Sequence, residues 1–381
     1  MTDRIARLKG YFMAKEHLTL RKEKPVDPSV YRQGEFHRRT ALRLDLSLQM
    51  QDIVFIPDER FVATRTVGNL PNIYREGETV YGAVNNICPR YDRVIAEGLE
   101  KTIERLESCK TPENTAYLES CILSCRAVID FAERYASAAA KQGKVEIAKN
   151  LSNIPRRGAS TFYEALQFFR FLHFALWCEG DFHIVIGRFD QWMCPYLEAD
   201  LERGILDEEE ALTLLEDFFL TFNKDTDLYP GVQLGDNGQS MMLGGYDLEG
   251  NDQYNLLSEL CLKASLELRV IEPKLNLRVS KKTPMERFVL GSCLTATGAG
   301  FPQYCNDDVV VKGLVGLGYA PEDAVNYVVA ACWEFIVPGK GMDVVNIDAL
   351  SFPHCVDAVL RNTNAVDYEI FLRQIQNEIK G

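Results

Sequence analysis

The sequence lacks the patterns that mark nucleic-acid-binding, membrane and secreted proteins. Among its 381 residues, 42 are Lys or Arg and 55 are Asp or Glu, which gives a net charge of −13. This shortage of positive charge argues against binding to the phosphate backbone of nucleic acids or to an anionic membrane surface. The longest apolar runs are too short to span a membrane, and the first residues show no signal-peptide pattern. We therefore predict a cytoplasmic protein that binds neither nucleic acid nor membrane.

Cysteine usage excludes a second group of proteins. The chain has 11 cysteines, but they are scattered and include no Cys-x-x-Cys pair. A secreted disulfide scaffold is short and has evenly paired cysteines, so most of these thiols are expected to be reduced and to pack as small apolar residues. Cys121 and Cys125 lie one helical turn apart, but no further ligand lies nearby in sequence. This spacing favours core packing, and no metal site is predicted.

Periodicity predicts a helical first half and a second half in which strands and helices alternate. Thr161 and Glu164 form a capping box that opens a very apolar helix. His173 lies inside this helix and is expected to be a core residue rather than a ligand. Alternation of strands and helices is typical of a mostly parallel sheet or barrel, so the predicted fold class is α/β. The short strand-like runs in the second half are residues 232–234, 241–243, 274–280 and 301–304.

The chain shows no low-complexity linker and no internal repeat. We therefore predict a single domain over residues 1–381, with a helical and irregular arm over 1–90 and helices plus an α/β core over 91–381. Residues 1–40 are rich in Arg and Lys. Because charge runs usually face water, this part is expected to be a solvated helical arm.

The most informative stretch is the apolar run 327–331 and the residues that follow it. The run predicts a buried strand, which ends at Cys332, Trp333 and Glu334 before a Pro-Gly break. This arrangement holds a thiol and a carboxylate at the carboxyl end of a strand. In α/β proteins, chemistry commonly takes place at that end.

Cys332 and Glu334 are the strongest candidates for catalysis. A carboxylate this close in sequence disfavours the thiolate, and no His is adjacent, so the thiol is a poor ionic nucleophile. The pair suits one-electron sulfur chemistry better, with Glu334 as an acid/base. Two alternatives remain open, namely a buried thiol with only a packing role and a conventional cysteine hydrolase.

Several blocks of sequence follow one another after about residue 92. In chain order they are Gly187-Arg188-Phe189-Asp190-Gln191 with Pro195-Tyr196 and Asp200-Leu201, Leu243-Gly244-Gly245 with Gly250-Asn251-Asp252, Glu272-Pro273-Lys274-Leu275-Asn276-Leu277-Arg278, Gly298-x-Gly300-x-Pro302, Asn306-Asp307 and Ala331-Cys332-Trp333-Glu334. This ordered set resembles the glycyl radical enzymes, the pyruvate formate-lyase superfamily. In that superfamily the third block is Glu-Pro-Asn-Leu-x-Leu-Arg and the last is Gly-Cys-Val-Glu.

The resemblance implies a fold and a chemistry. The fold would be part of a ten-stranded barrel, with this chain forming the first half-barrel and the thiyl-cysteine loop after a helical amino-terminal region. Cys332 would carry the thiyl radical that abstracts hydrogen from the substrate, and Glu334 would be the acid/base. Pyruvate formate-lyases carry Cys-Cys here. The Cys-x-Glu pattern therefore favours lyases and dehydratases that act on hydroxylated or amino substrates. A formate acetyltransferase-type activity ranks behind these.

The same resemblance indicates four substrate-binding residues and several departures. Asn86 stands where glycerol- and diol-dehydratase-like members have His, and Asn346 stands where they have Asp. The segment Asp181-Phe182-His183 stands where those members have His-Ser, and Trp333 replaces a small β-branched residue. We therefore expect Asn86, Phe182, His183 and Asn346 to line the substrate pocket, and we do not favour a diol as substrate.

The motif that would store the radical is missing. In the superfamily, a glycine within Arg-Val-x-Gly-aromatic, near the carboxyl terminus, carries the radical, and no such motif occurs in this sequence. The sequence is therefore expected to be incomplete at the carboxyl end, as part of a split or truncated enzyme or as a fragment. The other possibility is a non-catalytic relative with a role in binding or assembly.

The resemblance also implies the partners. No cofactor is expected to be bound. A glycyl radical, installed by a radical S-adenosylmethionine activating enzyme, is expected on a segment outside this chain. The expected partners are a small-molecule substrate, that activating enzyme and a complementary carboxyl-terminal glycyl segment or subunit, and a homodimer is possible. The chain has no Cys-x-x-x-Cys-x-x-Cys cluster, so it is not predicted to be the activating enzyme itself.

Overall fold

The computed structural model describes most of the chain, as residues 1–68, 84–179, 182–225, 238–331, 333–344, 351–363 and 367–380. Contacts divide the chain into two compact units, Met1–Asp343 and Val344–Gly381. The single domain over 1–381 stays a prediction. None of the described helices is both long and apolar enough to cross a membrane.

Helices dominate the first half, and strands alternate with helices in the second, as predicted. The α-helices within the described ranges are α1 (Asp3–Met13), α2 (Phe36–Gln49), α3 (Tyr91–Glu97), α4 (Leu99–Ser108), α5 (Thr115–Lys141), α6 (Val145–Asn150), α7 (Phe162–Glu179), α8 (Phe189–Glu202), α9 (Glu208–Thr221), α10 (Leu256–Leu268), α11 (Met285–Leu294), α12 (Asp307–Gly316), α13 (Pro321–Ala324), α14 (Phe352–Asn362) and α15 (Tyr368–Lys380). The strands in the same ranges are β1 (Val84–Ile87), β2 (Phe182–Ile184), β3 (Ser240–Gly244), β4 (Lys274–Val279), β5 (Gln303–Asn306), β6 (Val328–Ala330), β7 (Glu334–Ile336) and β8 (Met342–Val344). Shorter 3₁₀ and π turns are Glu16–Leu20, Pro28–Val30 and Thr295–Ala299.

The cap predicted at Thr161 and Glu164 forms where the sequence places it. The Glu164 N–H donates to Thr161 Oγ1 at 3.1 Å, at the start of α7. His173, inside that helix, is fully buried and accepts a hydrogen bond from the Trp177 indole N–H at 3.3 Å, so its prediction as a core residue is confirmed. Caps of this kind typically contribute about 1 kcal/mol each and fix where a helix begins.

Parallel strands form the sheet that positions the candidate site. β1 pairs with β2, β3 with β4, and β4 with β5, all in parallel. Past the end of β2, the Ile186 N–H donates to the Ser240 carbonyl and the Met242 N–H donates to the Gly187 carbonyl, both at 2.9 Å. The hydrogen-bonded order is therefore β1-β2-β3-β4-β5, which is also the chain order, and β8 lies on the other side of β1.

This arrangement confirms three of the predicted strand-like runs, those near 241–243, 274–280 and 301–304. The fourth run, 232–234, lies outside the described residues. The structure is thus α/β and rich in helices, as predicted. Closure of the strands into a ten-stranded barrel is not completed by the sheets of the described residues.

The two faces of the sheet differ in chemistry. On β4, Leu275, Leu277 and Val279 belong to the large apolar cluster shared with the helices. Side chains alternate along a strand, so Lys274, Asn276 and Arg278 point to the opposite face. We call this second side the inner face. Met242 and Cys305 from the neighbouring strands lie there, together with residues of β6.

Residues 1–40 do not form a solvated arm, so that prediction is wrong. Ile5, Leu8 and Phe12 of α1 are buried, and α1 packs against α9. Arg4 donates to the buried Asp217 carboxylate at 2.5 Å. The reason is periodic, because apolar residues at this spacing form one stripe on a helix while the basic residues occupy the other side. Because many basic residues stand between the apolar ones, the stripe was not recognised in the sequence.

His17 connects the amino-terminal segment to the core through a hydrogen bond that we expect to be sensitive to acid. Its Nε2 donates to the Lys224 carbonyl at 3.0 Å, so Nδ1 is the atom that would take up a proton. Nδ1 is buried and has no hydrogen-bond partner among the described residues. Burial, more than any nearby charge, lowers the pKa of His17 to about 4. The imidazole is therefore neutral in the folded protein at neutral pH.

The unfolded chain binds a proton at His17 below pH 6.5, whereas the folded chain resists it down to about pH 4. The stability contributed by neutral His17 is thus present above pH 6.5 and is lost as the pH falls toward 4, by up to about 3 kcal/mol. His17→Gln can keep a donor for the Lys224 carbonyl but does not titrate. Urea unfolding at pH 7 and 4.5 should show a smaller acid-induced loss in the variant than in the wild type. Equal losses in the two proteins would contradict this account.

Candidate active site

The stretch around Cys332 forms a β-hairpin. β6 and β7 pair in antiparallel register, with Val328 opposite Ile336 and Ala330 opposite Glu334. The chain therefore reverses between Ala330 and Glu334, and we call residues 331–333 the cysteine turn. Cys332 itself lies outside the described residues, but both of its neighbours in sequence are placed. The strand at 328–330 is confirmed, whereas the return strand β7 was not predicted.

The residues flanking Cys332 have distinct environments. Ala331 is buried and has a φ of +40°, in the left-handed region that non-glycine residues rarely adopt. The Trp333 side chain is 47% exposed. The Trp333 backbone N–H donates to Glu334 Oε2 at 3.0 Å, so the half-buried Glu334 carboxylate folds back onto the turn. The candidate acid/base is therefore held at the cysteine turn.

Two sets of contacts orient the hairpin on the inner face. Near its base, the Arg278 guanidinium donates to the Val325 carbonyl at 2.8 Å, and the Tyr327 hydroxyl donates to the Asp307 carboxylate at 2.7 Å. Near its tip, the Lys274 ammonium donates to the Ala331 carbonyl at 3.3 Å. Lys274 begins β4 and Arg278 lies near its end. The cysteine turn therefore lies at the amino-terminal ends of the parallel strands.

The base of the hairpin rests on a buried ion pair. Arg278 donates through Nε and Nη2 to the two oxygens of Asp307, both at 2.8 Å, and both side chains are buried. The Arg278 guanidinium also lies 4.2 Å from the centre of the Tyr327 ring. Burial raises the pKa of Tyr327, so its hydroxyl stays protonated and can donate to Asp307. Arg278 of β4, Asp307 at the start of α12 and Tyr327 just before β6 thus form one network.

Asp190 explains why the Gly-Arg-x-Asp-Gln block lies close to the sheet. Its Oδ2 accepts hydrogen bonds from the Gly244 N–H at 2.6 Å and from the Ser258 hydroxyl at 2.5 Å. The block therefore joins the end of β3 to α8 and α10. Burial raises the pKa of Asp190, and these two hydrogen bonds oppose that shift.

Several buried polar groups on or next to β1, β3 and β4 have no hydrogen-bond partner among the described residues. The side chain of Asn86, on β1, is fully buried, and neither its Nδ2 nor its Oδ1 has a hydrogen-bond partner among the described residues. The same holds, within those residues, for Ser240 Oγ, Gln239 Oε1 and Asn276 Oδ1. A buried polar atom left unpaired typically costs about 1–3 kcal/mol. Such a set is therefore expected where a ligand or water is bound.

The orientation of two of these amides is fixed by their other contacts. Gln239 Nε2 donates to the Phe222 carbonyl at 3.0 Å, and Asn276 Nδ2 donates to the Lys274 carbonyl at 3.2 Å. Carbonyl oxygens only accept, so in both amides the nitrogen is used and the oxygen remains. The hydrogen-bonding capacity that remains on these two amides is therefore that of an acceptor.

Comparison with known families identifies the fold and the lineage. A family model described as Pyruvate formate lyase-like matches residues 71–369. The chain belongs to the pyruvate formate lyase-like family. The predicted superfamily, the glycyl radical enzymes of the dehydratase and lyase type, is thereby confirmed.

Two relatives within this family show how much of an enzyme the chain represents. It is 30% identical over 288 residues to (2S)-3-sulfopropanediol dehydratase of Klebsiella oxytoca, an alignment that covers 68% of this chain and 35% of that protein. It is 27% identical over 351 residues to isethionate sulfite-lyase of Nitratidesulfovibrio vulgaris, which covers 86% and 42%. The chain thus spans between a third and a half of the length of these curated relatives.

A solved structure of the pyruvate formate lyase-like fold supports the architecture. The structure that describes 1,2-propanediol dehydration in Roseburia inulinivorans aligns with 99% of this chain and 61% of its own, with a TM-score of 0.81. Sequence identity is 22%, so this likeness speaks for the fold alone.

Of the residues predicted to line the site, the structure brings two together. Asn86 on β1 and His183 on β2 lie on paired neighbouring strands. His183 has a φ of +58° and packs against Gly238, where an added Cβ would lie 2.7 Å from the His183 ring. Phe182 begins β2. Cys332 and Asn346 lie outside the described residues, so their placement stays a prediction.

Sequence reasoning missed four buried polar residues at or before the starts of β3 and β4, namely Gln239, Ser240, Lys274 and Asn276. One signal could have found two of them. Every residue of β4 is buried, yet polar residues occupy every second position. A strand that buries Lys, Asn and Arg on one face must direct them toward partners or a polar cavity. No such signal exists for Gln239 and Ser240, which stand in a short run after a glycine.

Proposed function

We propose that this chain is the part of a glycyl radical lyase or dehydratase that carries the thiyl cysteine. Cys332 abstracts hydrogen from a small polar substrate, and Glu334 serves as the acid/base. The observation that carries the proposal is the hairpin, which holds Glu334 and both neighbours of Cys332 against an inner face lined with unpaired polar atoms. The names of the relatives, a dehydratase and a lyase, support the reaction class.

The chain would act together with a segment that it does not contain. A glycyl radical on that complementary segment, installed by a radical S-adenosylmethionine activating enzyme, supplies the unpaired electron when present. The strands β1 to β5 would form the first half of a ten-stranded barrel, and the complementary segment would close it over the inner face. Closure excludes water and oxygen from a carbon radical. The complex is expected in an anaerobic cytoplasm and could pair as a homodimer.

The proposed reaction uses Cys332 for hydrogen-atom transfer and Glu334 for proton transfer. The Cys332 sulfur takes a hydrogen atom from a substrate carbon, so an S–H bond forms, a C–H bond breaks and the carbon keeps the unpaired electron. Glu334 gives a proton to the departing group or takes one from the neighbouring hydroxyl or amine as the bond to that group breaks. The product radical then recovers a hydrogen atom from Cys332, which restores the sulfur radical.

The inner face suggests which substrates fit. Asn86, Phe182, His183 and Asn346 are proposed to contact the substrate. The oxygen left over on Asn276, which points to the inner face, accepts hydrogen bonds, so a substrate that offers an O–H or N–H donor would satisfy it. This preference agrees with small hydroxylated or amino compounds.

Electron paramagnetic resonance provides the test. The chain, combined with a segment that carries the Arg-Val-x-Gly motif and activated anaerobically, should show a glycyl radical signal. We expect that signal to change when a reactive member of a panel of hydroxylated and amino compounds is added, together with formation of an elimination product. A radical that forms but responds to no compound, with no product, would contradict catalysis and favour a role in binding or assembly.

A further inference from the structure

Lys274 is a buried lysine whose ammonium reaches the cysteine turn. It is the first residue of β4, it is 5% exposed, and its Nζ lies 3.3 Å from the Ala331 carbonyl oxygen. Nζ also lies 5.6 Å from the centre of the Phe301 ring. Removing an ammonium from water is unfavourable, so a buried lysine is kept where its contacts compensate. Its contact with the turn is therefore a candidate for function.

The identity of this residue departs from the family block. The superfamily block is Glu-Pro-Asn-Leu, whereas this chain has Glu272-Pro273-Lys274-Leu275. An asparagine amide sits much closer to the backbone than a lysine ammonium. Lys274 therefore extends a cationic donor from the start of β4 toward the hairpin.

The atom that Lys274 contacts is next to the candidate radical residue. The Ala331 carbonyl belongs to the peptide bond that joins Ala331 to Cys332. Ala331 has a φ of +40°, a conformation that persists only where surrounding contacts hold it. A hydrogen bond from a charged donor is stronger than one between neutral groups, so this contact can supply such a restraint.

We propose that Lys274 is a positioning residue that holds the cysteine turn in place through the Ala331 carbonyl. The base of the hairpin is held separately, by Arg278 and Asp307. Lys274 thus fixes the tip, and the two contacts together set the depth of the turn along the inner face. What the turn does chemically rests on the proposed function, but the restraint does not.

Amide hydrogen exchange of the folded chain tests the restraint without any catalysis. Lys274→Met keeps a side chain of similar length but removes the donor. Exchange of the peptide that covers 327–337 should become at least about tenfold faster, which corresponds to the loss of one ordinary hydrogen bond. Exchange in the rest of the chain should change less than exchange at 327–337, since the contact that is lost belongs to the hairpin tip. Lys274→Arg, which retains donors, should restore slow exchange in the hairpin.

A second buried lysine provides the matched control. Lys224 is also buried, and its ammonium donates to Glu59 at 2.7 Å and to the Phe61 carbonyl at 2.9 Å, which belong to another part of the chain. Lys224→Met should lower the melting temperature without selectively accelerating exchange at 327–337. Selective acceleration of exchange at 327–337 in Lys274→Met, but not in Lys224→Met, would separate positioning from a general structural role.

The outcomes also separate this proposal from the proposed function. If Lys274→Met leaves hairpin exchange unchanged, or if Lys274→Arg fails to restore it, Lys274 does not position the turn, and the radical chemistry of Cys332 is untouched. If exchange responds as expected but no substrate-dependent radical is ever found, the restraint stands and the catalytic proposal falls.

Discussion

Cys332→Ser is expected to lower turnover of the completed, activated enzyme by about 10⁴-fold or more, the size of effect seen when a covalent catalytic group is removed. A serine hydroxyl is nearly the same size as the thiol, so the turn between β6 and β7 should still form. An O–H bond is stronger than an S–H bond, so the glycyl radical cannot pass its unpaired electron to serine. The glycyl signal should therefore form in the variant and stay unchanged when substrate is added.

Glu334→Gln should give a different result, because it alters a later step. Hydrogen abstraction by Cys332 is expected to continue, whereas loss of the acid/base should slow elimination by about 10²–10⁴-fold. In deuterated solvent the thiol carries deuterium, so substrate recovered from this variant should gain deuterium faster than product appears. Cys332→Ser should show neither deuterium uptake nor product.

A control for thiol replacement is available on the surface. Cys293, on α11, is exposed and lies outside the inner face. Cys293→Ser is expected to change turnover by less than about twofold, as surface substitutions usually have small effects. If Cys332→Ser behaved like Cys293→Ser in the activated complex, a thiyl radical at Cys332 would be ruled out. The interpretation of Cys332 as a packing residue would then be preferred.

The elements that the sequence predicted best are those fixed by local contacts. The cap at Glu164 involves residues three apart, and the alternation of β4 needs only six consecutive residues. The buried environment of His173 follows from its apolar neighbours within one helix. In each case the determining interactions lie within a few residues of chain, so a local pattern is enough.

The hairpin shows where local patterns stop being sufficient. The run before Cys332 predicted a strand, but its partner β7 is only three residues long and is followed by Pro338. The local pattern also does not predict where the cysteine turn lies relative to the parallel strands. That position depends on contacts between residues far apart in sequence, such as Lys274 with Ala331, which no periodicity encodes.

The substrate pocket was predicted only through resemblance. Asn86 and His183 do lie on paired strands, but nothing in their local sequence connects them, since they are almost a hundred residues apart. Gln239 and Ser240 were missed because the property that marks them is a buried oxygen with no hydrogen-bond partner among the described residues. An unpaired buried atom is a property of the folded chain and has no sequence signature.

Asp307→Asn is expected to lower the free energy of unfolding by about 3–5 kcal/mol, the usual result of leaving one partner of a buried ion pair alone. The Arg278 side chain is fully buried, and it directs two hydrogen bonds to the Asp307 carboxylate. An asparagine offers one acceptor oxygen and a donor amide that faces the guanidinium. Urea unfolding at pH 7 should show the loss as a lower midpoint with an unchanged slope.

An exposed pair in the same chain sets the scale for comparison. Arg361 and Asp357 form a salt bridge at 2.6 Å, with side chains that are 74% and 53% exposed. Asp357→Asn should cost less than about 1 kcal/mol, because water solvates both groups once the pair is broken. A loss of similar size in Asp307→Asn and Asp357→Asn would show that Arg278 regains solvent or another partner when Asp307 is neutralised.

The same substitution should also act on the hairpin, because Asp307 accepts a hydrogen bond from the Tyr327 hydroxyl. Asp307→Asn removes the charge that holds both Arg278 and Tyr327, so exchange at 327–337 should accelerate together with the global loss of stability. Tyr327→Phe removes only the hydroxyl contact and should cost about 1 kcal/mol, the net value of one hydrogen bond. Faster exchange in Tyr327→Phe, at nearly unchanged stability, would show that the hydroxyl anchors the base of the hairpin directly. If exchange stays slow in both variants, the hairpin is held by its apolar contacts with the inner face, and the polar network serves the sheet alone.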